Sequence, residues 1–220
     1  MEYLFRPSVT RVGRIQEVSS VEMIEAEPML YDCDWHVAAE LGGFLTSSVM
    51  GAILRAGEKE FYDMLYADDL HAHIDTKSVM LMPQFYPCIG GWHCDTVPRA
   101  TGTSQPNLSL MREDIFHYLC VIPSTPNLSN TEFVMDDMII DVDENLVWRS
   151  VNRAVDTRDK MTMRVGDGDV MRFSQSSIHR GMPATGHGWR YFFRLTFTEK
   201  EPQNKIRHQV QVYTAPDTSW

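Results

Sequence analysis

From residue 78 onward the apolar positions come in short runs, broken every few residues by Pro, Gly, Asn or Asp. Residues 78–86, 116–122, 132–134, 138–141, 161–165, 169–173 and 191–198 read as strands on this pattern. The last run is the clearest. Tyr191, Phe193, Leu195 and Phe197 share one face, while Arg190, Phe192, Arg194 and Thr196 share the other, which is the two-residue period of a strand. Residues 166–197 read as two strands joined by a Pro/Gly-rich loop at 181–188, with His179 near the end of the first. Upstream the period changes. Val37, Ala38, Leu41, Leu45, Val49 and Ile53 recur every three or four residues, so a helix is expected over 35–55, with Gly42-Gly43 dividing it in two. A second helix is expected over 58–70, with Phe61 and Leu65 on one face. Residues 1–32, with Val9, Val12, Ile15 and the run at 21–24, form a strand-containing lead-in.

Many short strands with such punctuation favour a sandwich or barrel. At 220 residues and 43% hydrophobic, the chain has enough apolar material for one core. It is read as a single domain over 1–220, with a strand and helical support region at 1–77, a β core at 78–198 and a C-terminal extension at 199–220. The formal net charge of -10 disfavours a nucleic-acid partner held by a broad basic surface. The densest basic stretches, 149–164 and 200–207, are interrupted by Asp and Glu. Cys33, Cys88, Cys94 and Cys120 form no C-x-x-C unit, so a reduced, cytoplasmic setting is expected. No stretch approaches the ~20 apolar residues that span a bilayer, and the start lacks a signal-peptide core.

The polar residues carry the chemistry. His93-Cys94-Asp95, read on a strand, points residues 93 and 95 to the same side. With the distal His179 they supply two imidazoles and one carboxylate. On three corners of an octahedron that set leaves the opposite face open, the arrangement associated with non-heme Fe(II) oxygenases. Arg190 and Arg194 then need an explanation on a strand otherwise rich in aromatics. An arginine fork clamps a carboxylate with two parallel hydrogen bonds and stays charged when desolvated. The plainer readings are a structural, hydrogen-bonded histidine and an arginine paired with a surface Asp, a pair worth little. His36, His71, His73, His117 and His208 are left unassigned, and His187 competes with His179 from within the same loop.

Together His93, Asp95, His179 and Arg190 resemble the metal triad and co-substrate arginine of the Fe(II)/2-oxoglutarate-dependent dioxygenases. Gln84-Phe85-Tyr86-Pro87 followed by Gly90-Gly91-Trp92-His93 is similar to the approach to the first histidine in prolyl-hydroxylase-like members. Asn130-Thr131-Glu132-Phe133 resembles a strand that in some members offers a threonine to 2-oxoglutarate. His-Arg-Gly-Met-Pro-Ala at 179–184 and Gly-Trp-Arg at 188–190 resemble the C-terminal signature. The resemblance covers roughly residues 78–198.

It implies a mainly β fold with flanking helices, built on a double-stranded β-helix of jelly-roll, cupin-like type. It also implies Fe(II), 2-oxoglutarate and O2, with oxidative decarboxylation to succinate and CO2 coupled to hydroxylation of a C–H bond. Arg190, Tyr86 and Thr131 would then hold 2-oxoglutarate. Arg194 is the second candidate for the co-substrate; as in taurine-dioxygenase-like members, one of the two arginines would hold 2-oxoglutarate and the other would reach the substrate. Arg99 and Arg112, in the long loop after Asp95, would serve a substrate lid. Such a substrate is a small molecule bearing a carboxylate, such as an amino acid, or a peptidyl group. Residues 143–160 are either a second specificity-shaping insertion or a solvated surface helix. Two other classes stand beside this reading: a cupin-like metal enzyme or binding module that does not use 2-oxoglutarate, and a catalytically silent jelly-roll interaction domain.

Overall fold

The computed structural model describes residues 1–16, 20–102, 105–216 and 218. In chain order the strands are β1 (Glu2–Phe5), β2 (Val9–Arg14), β3 (Met29–Tyr31), β4 (Cys33–Asp34), β5 (His71–Leu81), β6 (Phe116–Pro123) and β7 (Thr131–Val134). They continue with β8 (Met138–Asp141), β9 (Thr162–Arg164), β10 (Asp169–Ser174), β11 (His179–Gly181), β12 (Gly188–Thr198) and β13 (Lys205–Arg207). The α-helices are α1 (Val21–Ala26), α2 (Trp35–Leu41), α3 (Phe44–Ala56), α4 (Lys59–Leu65) and α5 (Val147–Thr157).

A large antiparallel sheet has the order β2-β10-β6-β12-β5-β4, and a smaller one the order β11-β7-β9. An isolated bridge between His93 and His179 adds the segment of His93 to the free side of β11. From β5 onward the chain alternates between the two sheets. It passes from β5 to the His93 segment, back to β6, across to β7 and β9, back to β10, across to β11 and finally back to β12.

The period-two pattern of β12 explains its central place. Tyr191, Phe193, Leu195 and Phe197 pack with Tyr118, Cys120 and Ile122 of β6 against the helical layer. The opposite face of the large sheet meets the small sheet through Leu119, Val121, Met171 and Phe173 against Phe133. Phe61 of α4 lies 5.3 Å from Trp35, 5.8 Å from Tyr118 and 6.1 Å from Phe197, ring centre to ring centre. Truncating such a fully buried ring to Ala costs about 3–5 kcal/mol. Phe61 therefore fastens the helices to the sheet.

The break expected at Gly42-Gly43 is present, between α2 and α3. Its cause is a buried carboxylate. Glu27 accepts hydrogen bonds from the backbone N–H groups of Gly43 (3.0 Å), Leu45 (3.0 Å) and Thr46 (2.9 Å) and from the Thr46 hydroxyl (2.5 Å). These are the orphan donors of the α3 N-terminus, where negative charge is favoured. A Cβ on Gly43 would fall 2.5 Å from Glu27 Oε2, so a side chain there would displace the capping carboxylate.

Three expectations are corrected. The first core strand opens at His71, not residue 78, and the helix expected over 58–70 ends at Leu65. Residues 71–77 alternate His, Asp and Lys with Ala, Ile and Thr, and β5 pairs with β12 on one side and β4 on the other. Polar side chains on a doubly paired strand hide it from a hydrophobicity pattern. Next, His179 does not end a strand that begins near Gly166. The chain turns at Gln175–Ile178, where Ser177 N–H donates to Ser174 O (3.0 Å), and His179 opens β11 in the other sheet. Nor do β11 and β12 form a hairpin, since β11 pairs with β7 and β12 with β5 and β6. Finally, the helix expected within residues 143–160 is solvated on its outer face only, where Arg149, Arg153 and Asp156 are exposed. Val147, Trp148, Val151 and Val155 of α5 are buried with Phe5, Met138 and Ile140.

The four cysteines are free. Among the described residues, no helix is long and apolar enough to cross a membrane.

Candidate metal centre

His93 and His179 face each other across an antiparallel bridge in which each backbone N–H donates to the other's carbonyl at 2.9 Å. Their rings are 4.7 Å apart, centre to centre. The same local device orients both. Nδ1 of His93 lies 2.9 Å from Gly91 O and Nδ1 of His179 lies 3.0 Å from Ser177 O, in each case the carbonyl two residues earlier. A carbonyl only accepts, so each Nδ1 carries the proton and each Nε2 presents a lone pair. Those two Nε2 atoms meet Asp95, at 3.8 Å from Oδ1 for His93 and 3.5 Å from Oδ2 for His179.

One donor atom from each of His93, Asp95 and His179 lies within 4.8 Å of the others. Burial and the neighbouring His179 push His93 down to about 4, so it is neutral near pH 7. Although burial alone would raise Asp95, the Arg194 guanidinium beside it holds it well below the usual carboxylate range. Two imidazole Nε2 atoms and a carboxylate thus converge without a donor between them. Acceptors so arranged fit a divalent cation, and the backbone bonds to the opposite ring nitrogens are the support such ligands need.

The turn that delivers His93 is held from outside by α5. Asn152 Oδ1 accepts from Trp92 N–H (2.7 Å), and its Nδ2 donates to Trp92 O (2.8 Å) and Trp148 O (2.7 Å). The Trp92 indole N–H donates to Asp156 (3.0 Å). Gly91, at φ +109°, makes the turn in a region that L side chains rarely adopt.

His93, Asp95 and His179 open into a cavity of about 80 Å³, also lined by Lys77, Cys88, Leu119, Thr131, Phe173, Gly181, Arg190, Phe192 and Arg194. One water occupies ~10–15 Å³ on that measure, so the space suits a small molecule. The two arginines have different surroundings. Arg194 donates to Asp95 Oδ1 (2.9 Å) and Asp75 Oδ2 (2.8 Å), and is neutralised by both. Arg190 is only 3% exposed, donates through Nε to Ser129 O (2.8 Å), and has no ion pair among the described residues. Burial pushes it down to about 10.

Of the residues picked from the sequence, His93, Asp95, His179, Arg190, Arg194 and Thr131 surround this cavity. Three others do not. Tyr86 is set aside by a backbone bridge to Tyr213, with N–H to carbonyl distances of 2.7 and 3.0 Å, and leaves the wall to Pro87 and Cys88. Arg112 is drawn to Asp114 (2.8 Å) and Glu199 (3.1 Å) at the surface. Arg99 sits in a bridge with Pro106 and does not line the cavity. His187 is exposed and apart from the triad. Lys77, Asp75 and Asn152 were missed. Lys77 and Asp75 alternate with Ala72, Ile74, Thr76 and Ser78, a two-residue period too weakly apolar to stand out as a strand, and Asn152 carries no local signal.

No protein-family model matches the chain, and no curated protein matches it. Solved structures with some likeness include a nickel complex of the non-heme monooxygenase ThoJ, at 12% identity, covering 88% of this chain and 73% of that one, with a TM-score of 0.42. Another is an N-substituted L-amino acid dioxygenase from Burkholderia ambifaria AMMD, at 15% identity, 82% and 73% coverage and a TM-score of 0.37. CytC3 with Fe(II) and alpha-ketoglutarate has 13% identity, 69% and 54% coverage and a TM-score of 0.30. At these scores the likeness carries no argument, and function is argued from the site itself.

Proposed function

We propose that this protein is an Fe(II)- and 2-oxoglutarate-dependent dioxygenase that oxidises a C–H bond of a small molecule, amino acid or peptidyl group, releasing succinate and CO2. The observation that carries this reading is one cavity holding two convergent imidazoles, a carboxylate and, beside them, a buried arginine without an ion-pair partner. His93, Asp95 and His179 would hold the metal, whose open positions would take up 2-oxoglutarate and O2 and supply the oxidising chemistry. The alternation of successive strands between the two sheets supports a double-stranded β-helix, or jelly roll, over the core. Residues 1–70 and 199–220 are its support and extension. Four free cysteines suit a reducing, cytoplasmic setting.

Each side chain has a separate task. Arg190 neutralises the distant carboxylate of 2-oxoglutarate, helped by the Thr131 hydroxyl on the opposite sheet. A guanidinium whose charge burial disfavours gains most from a dianionic guest. Arg194 holds Asp95 ionised and aimed at the histidines, so its role is to position that ligand. Leu119, Phe173 and Phe192 form an apolar wall that keeps water from the reacting centre. An unpaired Arg190 favours this assignment over a cupin-like centre without 2-oxoglutarate, which has no use for it.

Anaerobic titration with Fe(II) and then 2-oxoglutarate tests the reading, with Arg190→Ala as control. A weak visible charge-transfer band that requires iron, 2-oxoglutarate and Arg190 is expected. Iron binding without the band would move the assignment to a cupin-like centre, and failure to bind iron would end the enzyme hypothesis.

A further inference from the structure

With Arg194 neutralised and Arg99 and Arg112 away from the cavity, Lys77 becomes the important cation. It stands on β5 directly opposite Phe192 of β12, with Nζ 5.8 Å from the centre of that ring. It lines the same cavity as the triad, and among the described residues its ammonium makes no hydrogen bond or ion pair. The nearest carboxylate on its own strand face, Asp75, is taken up by Arg194 at 2.8 Å and approached by Arg207 at 3.8 Å. Burial and the adjoining Arg194 push the Lys77 pKa down, so its surroundings disfavour its charge. An anion beside it would reverse that cost.

The charges of the pocket point the same way. Lys77, Arg190 and Arg194 line it against the single carboxylate of Asp95, while Asp75 offsets Arg194 from behind. A divalent ion and dianionic 2-oxoglutarate would cancel each other, leaving the positive excess in place. We infer that Lys77 binds an anionic group of the primary substrate, and that this substrate is a monoanion of the carboxylate class. The assignment rests on the proposed dioxygenase reading. A lysine is a compact point charge rather than a fork, and so suits one carboxylate oxygen. Phe192 beneath it gives the carbon next to that carboxylate an apolar seat.

Propionate and its uncharged isostere propionamide serve as probes, followed by ligand-observed NMR on the zinc-loaded protein with 2-oxoglutarate, and again on the protein without either. Saturable binding of propionate but not propionamide is expected. Lys77→Gln should weaken propionate about tenfold or more while leaving 2-oxoglutarate bound, and Lys77→Arg should retain it. Equal propionate binding in wild type and Lys77→Gln, or no saturable binding in wild type, overturns the inference. Loss of 2-oxoglutarate from Lys77→Gln also overturns it, by assigning Lys77 to the co-substrate. Failure of the dioxygenase reading would be seen separately, as a wild type that never binds 2-oxoglutarate. The metal-free titration then still scores the Lys77 anion site.

Discussion

Replacing Arg190 with Met should make the bare protein more stable while removing its co-substrate. A cation at 3% exposure with no ion-pair partner is costly to bury. Its fall from 12.5 to about 10 corresponds, at ~1.36 kcal/mol per pKa unit, to about 3 kcal/mol against the charged folded form. Methionine keeps most of the volume without the charge. Against the gain stands the lost Nε–H bond to Ser129 O, worth about 1 kcal/mol, or somewhat more because that carbonyl is buried. The net expectation is a gain of about 1–2 kcal/mol, or roughly 2–8 °C in Tm for a domain of this size. Scanning calorimetry reads it directly. With metal present, 2-oxoglutarate at ~100 times its Kd should stabilise wild type by about 2.7 kcal/mol and leave Arg190→Met unmoved. The order of the two melting temperatures should therefore reverse on adding ligand. An arginine serving a hidden structural ion pair would behave otherwise, since breaking such a pair costs about 3–5 kcal/mol. A fall in Tm of that size in the bare variant would refute the reasoning.

Further expectations concern the supports of the site. Asn152→Ala leaves the Trp92 N–H and the Trp92 carbonyl without their partner, while the Trp148 carbonyl keeps its place in the helix. It should cost about 3 kcal/mol and weaken metal binding about 10–100-fold, as read by urea unfolding and zinc competition; unchanged affinity would show that α5 does not position His93. Asp95→Ala should abolish metal binding and turnover while keeping the native circular dichroism spectrum, because Arg194 retains Asp75; full turnover would remove Asp95 from the triad. His117 is fully buried, its Nδ1 lacks a partner, and burial lowers it to about 3. The unfolded chain takes up that proton below an ordinary pKa of ~6.5 and the folded one does not until near 3, so stability is complete above pH 6.5 and falls on acidification. His117→Phe should flatten the profile by about 2 kcal/mol between pH 7 and pH 5, and parallel unfolding curves for the two proteins would refute the assignment.

What could be read from residue order, and what could not, is clearest on β12. Its alternation is local, because successive side chains of one strand must point to opposite sides whatever it pairs with. The apolar face on the helices and the arginine face toward the cavity were therefore legible. The residues of the triad were legible too, although not through the strand period that suggested them: His93 makes only an isolated bridge and Asp95 stands in the turn that follows, so the short spacing brings the two together without a strand. The passage from β10 to β11 was not, because a change of sheet leaves no periodic trace across Gln175–Ile178.

The two arginines show the limit most sharply. On their own strand Arg190 and Arg194 are equivalent, four residues apart on one face, and no reading of β12 separates them. The partner strand does. In the register of β5, Val79 lies opposite Arg190, Lys77 opposite Phe192 and Asp75 opposite Arg194. Arg194 is consequently supplied with a carboxylate across the strand, while Arg190 faces an alkyl group and has no ion pair among the described residues. Moving β5 by two residues would pair Asp75 with Phe192 or with Thr196 and leave Arg194 without its cross-strand carboxylate. The division of labour at this site is therefore a property of strand register, which a chain specifies through its whole core rather than at any one position.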